Sequence, residues 1–430
     1  MDSAKLNQGF SSTSLSVAII GAGPAGCALA KLLLGENINV TVFERETSIG
    51  TRSQGGTLDL HVDTGLRTIR ALGLYSEFAK LARFDGDALQ LYDKQKIRYL
   101  NLGNSGNKTS VCSQGKPEID RFQLRKLLLD SLPMGTIRWN STFLGIDTEK
   151  MVLTFEHGTE EGYNLVVGAD GAFSKVRTAL MDHKVTYSKI HGYTMSIPDA
   201  KKNHPKVFRL VRKGSLFAFS DGRELIGQQM GDGSISVTVW LQQDYEDWAE
   251  SQHLNLEYGE AIKRRLQLEL QEWHADLLAI IQAADPMTVV ARSLFHLPIG
   301  ARWLPKKGVT IIGDAAHLMT PFIGEGVNAA LRDSLDLSNQ IIRRFKKGVK
   351  LEEILDGIGE AESDMMDRVV KAQLKTEDMK NLMMFTPGAP RSVIESWILR
   401  SMSDELNVVA LMGASIIVYC YFFFFKCFNW

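Results

Sequence analysis

The 430-residue chain carries 49 Lys and Arg against 50 Asp and Glu, a formal net charge of −1, so no global field recruits nucleic acid or an acidic partner. Hydrophobic residues at 44% and charged residues at 23% exclude a disordered chain and leave core enough for two domains or one two-lobed unit. Cys27, Cys112, Cys420 and Cys427 are scattered, with no CxxC pair, which speaks against a zinc site or a disulfide framework and suits a reducing compartment.

Residues 1–16 are polar and Ser-rich and lack the basic start and apolar stretch of a signal peptide. Residues 17–20 read as a buried strand, 24–35 as a helix and 40–44 as a second strand. That is a βαβ unit, the opening of a doubly wound, Rossmann-like α/β lobe. Helical patterns follow over 64–83 and, after short strands and turns to Val111, over 121–132, where Leu124, Leu127, Leu128 and Leu132 share a face. From 187 to 297 the texture changes. β-rich pieces at 206–211, 215–219 and 234–241 and a long amphipathic helix over 257–281 predict an inserted β-sheet substrate domain. Residues 309–312 return to a buried strand, with helices expected over 328–347 and 351–384 before a break at 387–390. Residues 408–425, VVALMGASIIVYCYFFFF, hold no charge until Lys426. They approach the roughly 20 residues that span a bilayer, and their aromatic end matches a membrane interface. A single C-terminal transmembrane helix is expected, the alternative being a buried C-terminal helix or a tail that caps the core. Without a signal peptide the main lobe would then face the cytosol, with the endoplasmic reticulum as the default membrane.

The first motif with chemistry in it is Gly21-Ala22-Gly23-Pro24-Ala25-Gly26, a GxGxxG between strand and helix. Gly21 permits the tight turn, Gly23 lets backbone approach a pyrophosphate, and Gly26 lets helix and strand pack closely. A phosphate then sits at a helix N-terminus. Glu44 closes the second strand about 20 residues on, where an acid bonds a ribose hydroxyl. The spacing predicts a dinucleotide and does not choose between NAD and FAD.

Two later segments do choose, by resemblance. Residues 166–177, VVGADGAFSKVR, and 312–328, IGDAAHLMTPFIGEGVN, resemble the GADG-x-x-S-x-V-R and GDAAH-x-x-x-P-x-x-G-x-G-x-N segments of class A flavoprotein monooxygenases, the p-hydroxybenzoate hydroxylase type. Residues 55–61, GGTLDLH, and 118–125, EIDRFQLR, resemble the tetracycline-destructase type within that family. The resemblance implies bound FAD, with NAD(P)H as co-substrate. It implies that Asp314 binds the ribityl chain, that the Gly324–Gly326 turn brings backbone N–H groups to the isoalloxazine edge, and that Glu44, Arg45, Asp59 and Arg121 contact the flavin. Two departures are visible. Thr320 stands where the family often has proline, and Glu325 where its near relatives have glutamine.

On this reading residues 15–186 and 298–390 form the FAD-binding lobe with its C-terminal helices, 187–297 the substrate domain, and 391–430 a linker and membrane anchor. Asn328 reads as a helix N-cap and His317 as a satisfied structural histidine. No paired carboxylates, Ser-His-Asp set or metal-ligand cluster has convincing spacing, so no general acid or base is named. The expected activity is hydroxylation or epoxidation of a small, apolar, ring-containing compound in natural-product biosynthesis. A flavin-dependent dehydrogenase or oxidase, and a non-catalytic flavin-binding membrane protein, stay open on the same fold.

Overall fold

The computed structural model describes residues 15–50, 55–84, 88–102, 116–212, 214–244, 256–404 and 406–428; Val111 and Cys112 lie outside them. In chain order the elements that position the site begin with β1 (Ser16–Ile20), α1 (Pro24–Leu34), β2 (Asn39–Phe43) and β3 (Thr57–Asp59). Next come β4 (Glu118–Asp120), α2 (Arg121–Asp130) and β5 (Leu165–Gly168). A second group follows: β6 (Thr186–Ile197), β7 (Ser215–Ser220), β8 (Arg223–Gln229), β9 (Ile235–Gln242) and β10 (Val290–His296). The chain closes with β11 (Val309–Ile311), α3 (Gly326–Lys346), α4 (Ile358–Lys380), α5 (Ile394–Met402) and α6 (Val408–Phe428).

A parallel sheet of order β11-β5-β1-β2, extended by residues 137–138, forms the first lobe. Its strands are near-continuous Val/Ile runs because helices cover them. Val17, Ile19 and Val42 pack with Leu29 and Leu33 of α1, Leu124 and Leu128 of α2, and Leu331 and Ile341 of α3. The second lobe is a seven-stranded sheet, β10-β6-β9-β8-β7, completed by Leu89–Tyr92 and Arg98–Asn101 from before residue 187. Alternation gives this sheet two apolar faces. Leu225, Val237 and Val239 face Leu266, Leu277 and Ile280 of the outer helices. Phe219 and Trp240 face a different cluster with Met383, Met384, Ile394 and Phe422, against which Ile226 and Phe322 also pack.

Several expected elements form differently. Residues 206–211 are helical within Pro205–Val211, not strand. Proline at the first helical position and buried Val207 and Val211 four apart override the β-rich composition. The expected helix over 257–281 is two, Leu256–Glu269 and Ala275–Ala283, because His274 Nδ1 accepts the Asp276 N–H at 3.1 Å and restarts the chain as an N-cap. The helix expected over 64–83 breaks at Gly73, whose φ is +70°. The stretch over 351–384 divides at Gly357 and ends in a π-turn at Asn381–Phe385.

At the C-terminal end α5 and α6 form a helical hairpin. α6 has a mean hydropathy of 2.3 and is long and apolar enough to cross a membrane. One stripe of it docks on the second lobe and on α5: Phe422 is buried at 3% exposure, Phe425 meets Tyr99 in a tilted contact with ring centroids 5.2 Å apart, and Lys426 Nζ donates to Glu395 of α5 at 2.7 Å. The rest of its circumference, Ile416, Ile417, Tyr421, Phe423 and Phe424 among it, is exposed.

Candidate functional site

The carboxyl ends of β1, β5 and β11 lie side by side and lead into the three glycine-bearing segments. Gly21 turns at φ +107°, donating its N–H to Phe43 O at 2.8 Å, and a β-carbon there would overlap Ala169 O. Gly26 presses on Gly21 O in the same way, so neither position tolerates a side chain. At Gly23 a β-carbon would meet no atom within 4 Å. Gly23 also precedes α1, whose N-terminus no side chain caps, leaving N–H donors and the positive dipole end toward open space. Those features fit a pyrophosphate.

Glu44 is buried and anchors this turn: Oε2 accepts the Ala22 N–H at 2.8 Å and Oε1 the Glu46 N–H at 3.0 Å. Each oxygen keeps a second lone pair for a further donor. Arg45 beside it is exposed. Asp59 is exposed on β3 and pairs in register with Glu118 of β4. Burial and the nearby Asp59 push the Glu118 carboxyl up to about 7, although Arg83 binds it at 3.0 Å.

Arg121 opens α2, its N–H donating to Gly56 O at 3.1 Å. Its side chain and that of Asp314 are both reached by solvent, yet protein surrounds them closely enough to move their pKa values, as on the walls of a crevice. Burial lowers Arg121 and Asp314 partly restores it; burial raises Asp314, with His317 and Arg121 opposing. Residues nearly two hundred positions apart in the chain thus come close enough to sense each other's charge. Beyond Asp314, Gly324 turns at φ +70°, and neither Gly324 nor Gly326 has an atom within 4 Å of a β-carbon position. That is bare backbone open to a flat ring.

Three supporting roles were not read from the sequence. Asp333 of α3 is fully enclosed: Oδ2 accepts the Gly313 N–H at 2.9 Å and contacts His317 Nε2 at 2.6 Å, while Oδ1 accepts Arg368 at 2.7 Å. It therefore holds the φ +62° turn at Gly313 that presents Asp314. Burial would raise its carboxyl, but His317 and Arg368 outweigh that and hold it below the ordinary range. Burial would lower His317, but Asp333 and Asp314 lift it above the usual value. His317 is only half satisfied, because its buried Nδ1 has no hydrogen-bond partner. Asn328 is not an N-cap. It lies inside α3, which Glu325 precedes, and its amide donates to Asp59 O at 2.8 Å and accepts the His61 N–H at 2.9 Å. Arg125 binds Glu46 at 2.7 Å and Ala22 O at 3.3 Å, bracing the first glycine turn. The available signal was a charged residue on an apolar helix face: Asp333 between Leu331 and Leu335, Arg125 beside Leu124. Thr320 is buried with its hydroxyl unpaired.

The second lobe stands over this edge. Gln228 of β8 donates to Thr57 Oγ1 at 3.0 Å, and the Gly231 N–H donates to Asp120. These contacts hold the Gln228 end of the sheet against the first lobe, and Phe322, beyond Asp314, packs on the cluster that includes Trp240 and Ile226.

Residues 14–373 match the family model described as FAD binding domain, and the chain belongs to that family. It is 30% identical over 387 residues to the monooxygenase penA of Penicillium thymicola, covering 76% of this chain and 85% of that one. Its fold is similar to that of Klebsiella pneumoniae HpxO complexed with FAD and uric acid, with a TM-score of 0.71, 18% identity and coverage of 94% and 97%. It is also similar to that of the tetracycline destructase Tet(51), with a TM-score of 0.63, 18% identity and coverage of 94% and 97%. The chain is an FAD-dependent monooxygenase, an oxidoreductase of the class A fold.

Proposed function

We propose that this enzyme takes electrons from NAD(P)H and inserts one oxygen atom from O₂ into a small, apolar, ring-containing natural product, by hydroxylation or epoxidation, in secondary metabolism. The observation that carries the reading is the convergence of Gly23, Arg121, Asp314 and the Gly324–Gly326 turn on one edge, beneath an apolar sheet face. Uric acid, the ring compound in the Klebsiella structure, supports a ring substrate. When bound, FAD supplies the redox and oxygen chemistry. The chain's own residues bind and enclose. The turn at Gly21–Gly26 receives the pyrophosphate, Glu44 and Arg45 lie at the ribose end, and Asp59, Arg121 and Asp314 line the crevice toward the ring. Backbone N–H groups at Gly324 and Gly326 meet the ring edge. Phe217, Ile226, Trp240 and Phe322 line the apolar side and exclude water.

The test is the visible spectrum of full-length protein in detergent, before and after anaerobic NADPH and then air. Flavin bands that bleach and return are expected, and an oxygen atom from labelled O₂ in the product identifies a monooxygenase. Protein that stays colourless after added FAD overturns the reading, as does label recovered only in water.

Membrane attachment through α6, with the catalytic lobe on the cytosolic side, belongs to the same proposal. The uncharged 408–425 stretch and its exposed aromatic residues support it.

A further inference from the structure

Between its two bare glycines the turn before α3 carries one carboxylate, Glu325. Its Oε1 lies 3.0 Å from His61 Nδ1, and the two side chains are 29% and 23% exposed. His61 follows β3 on the facing segment, and Asn328 of α3 holds its backbone N–H at 2.9 Å. The pair therefore closes across two segments 264 positions apart in the chain, beside the open backbone that faces the ring edge.

The N-terminus of α3 creates a potential that favours negative charge. Reduction of a flavin seated there by hydride from NAD(P)H, which would leave as NAD(P)⁺, would bring two electrons and one proton to that edge, FAD + 2 e⁻ + H⁺ → FADH⁻, and so add one negative charge. A carboxylate already at that helix end competes with the ring for the same potential and repels the charge arriving there. A histidine in contact with the carboxylate limits the repulsion.

We propose that the Glu325 carboxylate and the His61 ring in contact with it set the reduction potential of the bound FAD, Glu325 opposing reduction and His61 moderating it through that contact. This rests on the FAD seat assigned under Proposed function. Both residues are positioning residues that act through the electrostatics of the ring edge.

The test uses full-length, FAD-loaded protein, with the potential read by equilibration against reference dyes. Glu325→Gln keeps shape and removes charge. It is expected to raise the ratio of reduced to oxidised flavin at a fixed potential on the order of tenfold, about 30 mV for a two-electron couple. His61→Asn leaves the carboxylate unmoderated and is expected to move the ratio the other way. Glu325→Asp retains the charge and is expected to restore most of the wild-type value. The proposal is overturned if both single variants keep the wild-type potential, or if Glu325→Gln lowers it. It is equally overturned if Glu325→Gln loses FAD while the fraction still bound keeps an unchanged potential, because the pair is then a strut between loops. Wild-type protein without flavin bands overturns the FAD seat itself, a result distinct from an unmoved potential.

Discussion

Replacing Asp333 with asparagine separates charge from shape at the support beneath Asp314. The native carboxylate accepts three donors, from Gly313, His317 and Arg368. An amide of the same outline must turn an NH₂ group toward at least one of them, whichever way it is placed. Breaking a buried pair by removing one charge costs about 3–5 kcal/mol. The Arg368 side chain is 29% exposed, and its contact is partly screened, so the low end, about 3 kcal/mol, applies. The effect depends on pH. His317 is raised above its ordinary 6.5, so its contribution is present in full below that value and is lost as pH rises through its folded pKa. Asp333 is held below its ordinary 3.8, so its contribution is present above that value and is lost as pH falls through its folded pKa. The gap between wild type and variant should therefore be widest between about pH 4 and 6.5 and narrower at pH 9. Guanidinium unfolding of the FAD-free proteins across that range measures it, and titration with FAD should show weaker binding to the variant. A loss under about 1 kcal/mol, equal at pH 5 and pH 9, would refute the reasoning.

Gly26→Ala drives a β-carbon into Gly21 O and should give folded but colourless protein; normal flavin bands would show that the turn can shift. Asn328→Ala leaves the His61 N–H and Asp59 O without their partner and should cost about 2–3 kcal/mol, read as a lower melting temperature. Burial pushes Glu224 up to about 8, so the folded state keeps a proton that the unfolded chain has lost. Wild-type stability should then fall on the order of 1 kcal/mol per pH unit between about 5 and 8 relative to Glu224→Gln; a constant difference over that range would rule this out. The double variant Phe423→Glu, Phe424→Glu changes only the exposed face of α6. It should move the protein from the membrane fraction to the supernatant with flavin content and melting temperature unchanged, and continued sedimentation with membranes would count against attachment through this helix.

The parts of the site legible in the sequence are those where backbone geometry dictates residue identity. Gly21 and Gly26 leave no room for a β-carbon, and Gly324 adopts a φ that favours glycine, so local spacing alone reveals them. Asn328 could not be read the same way. Its partners, Asp59 and His61, lie more than 260 positions earlier, and a polar residue near a helix start looks like a cap whenever tertiary partners are unknown. The same holds for Asp333, whose worth comes from a turn and an arginine on other elements. The helices misread in extent fail at single residues. Gly73 and His274 each end or restart a helix through one torsion or one hydrogen bond, inside a pattern that otherwise continues. For residues 408–425 a tail that caps the core stood open beside a membrane span, but an uncharged run does not show which of its faces meets protein, so the seating of Phe422 was not legible.

The strand order carries a cost in time. β1 pairs with β5 through Ile20 and Gly168, and β5 with β11 through Gly168 and Ile311. On a ribosome adding roughly 5–20 residues per second, β5 would wait on the order of ten seconds for its outer neighbour. During that interval its edge is an open template for another chain. Asp314 and the support from Asp333 arrive only with the segment that ends the wait, so the cofactor cannot help to nucleate the early sheet. Such high contact order predicts slow folding. It also predicts a nascent chain that depends on holding chaperones through mid-synthesis, with FAD supplied in the medium improving the yield only of chains already complete.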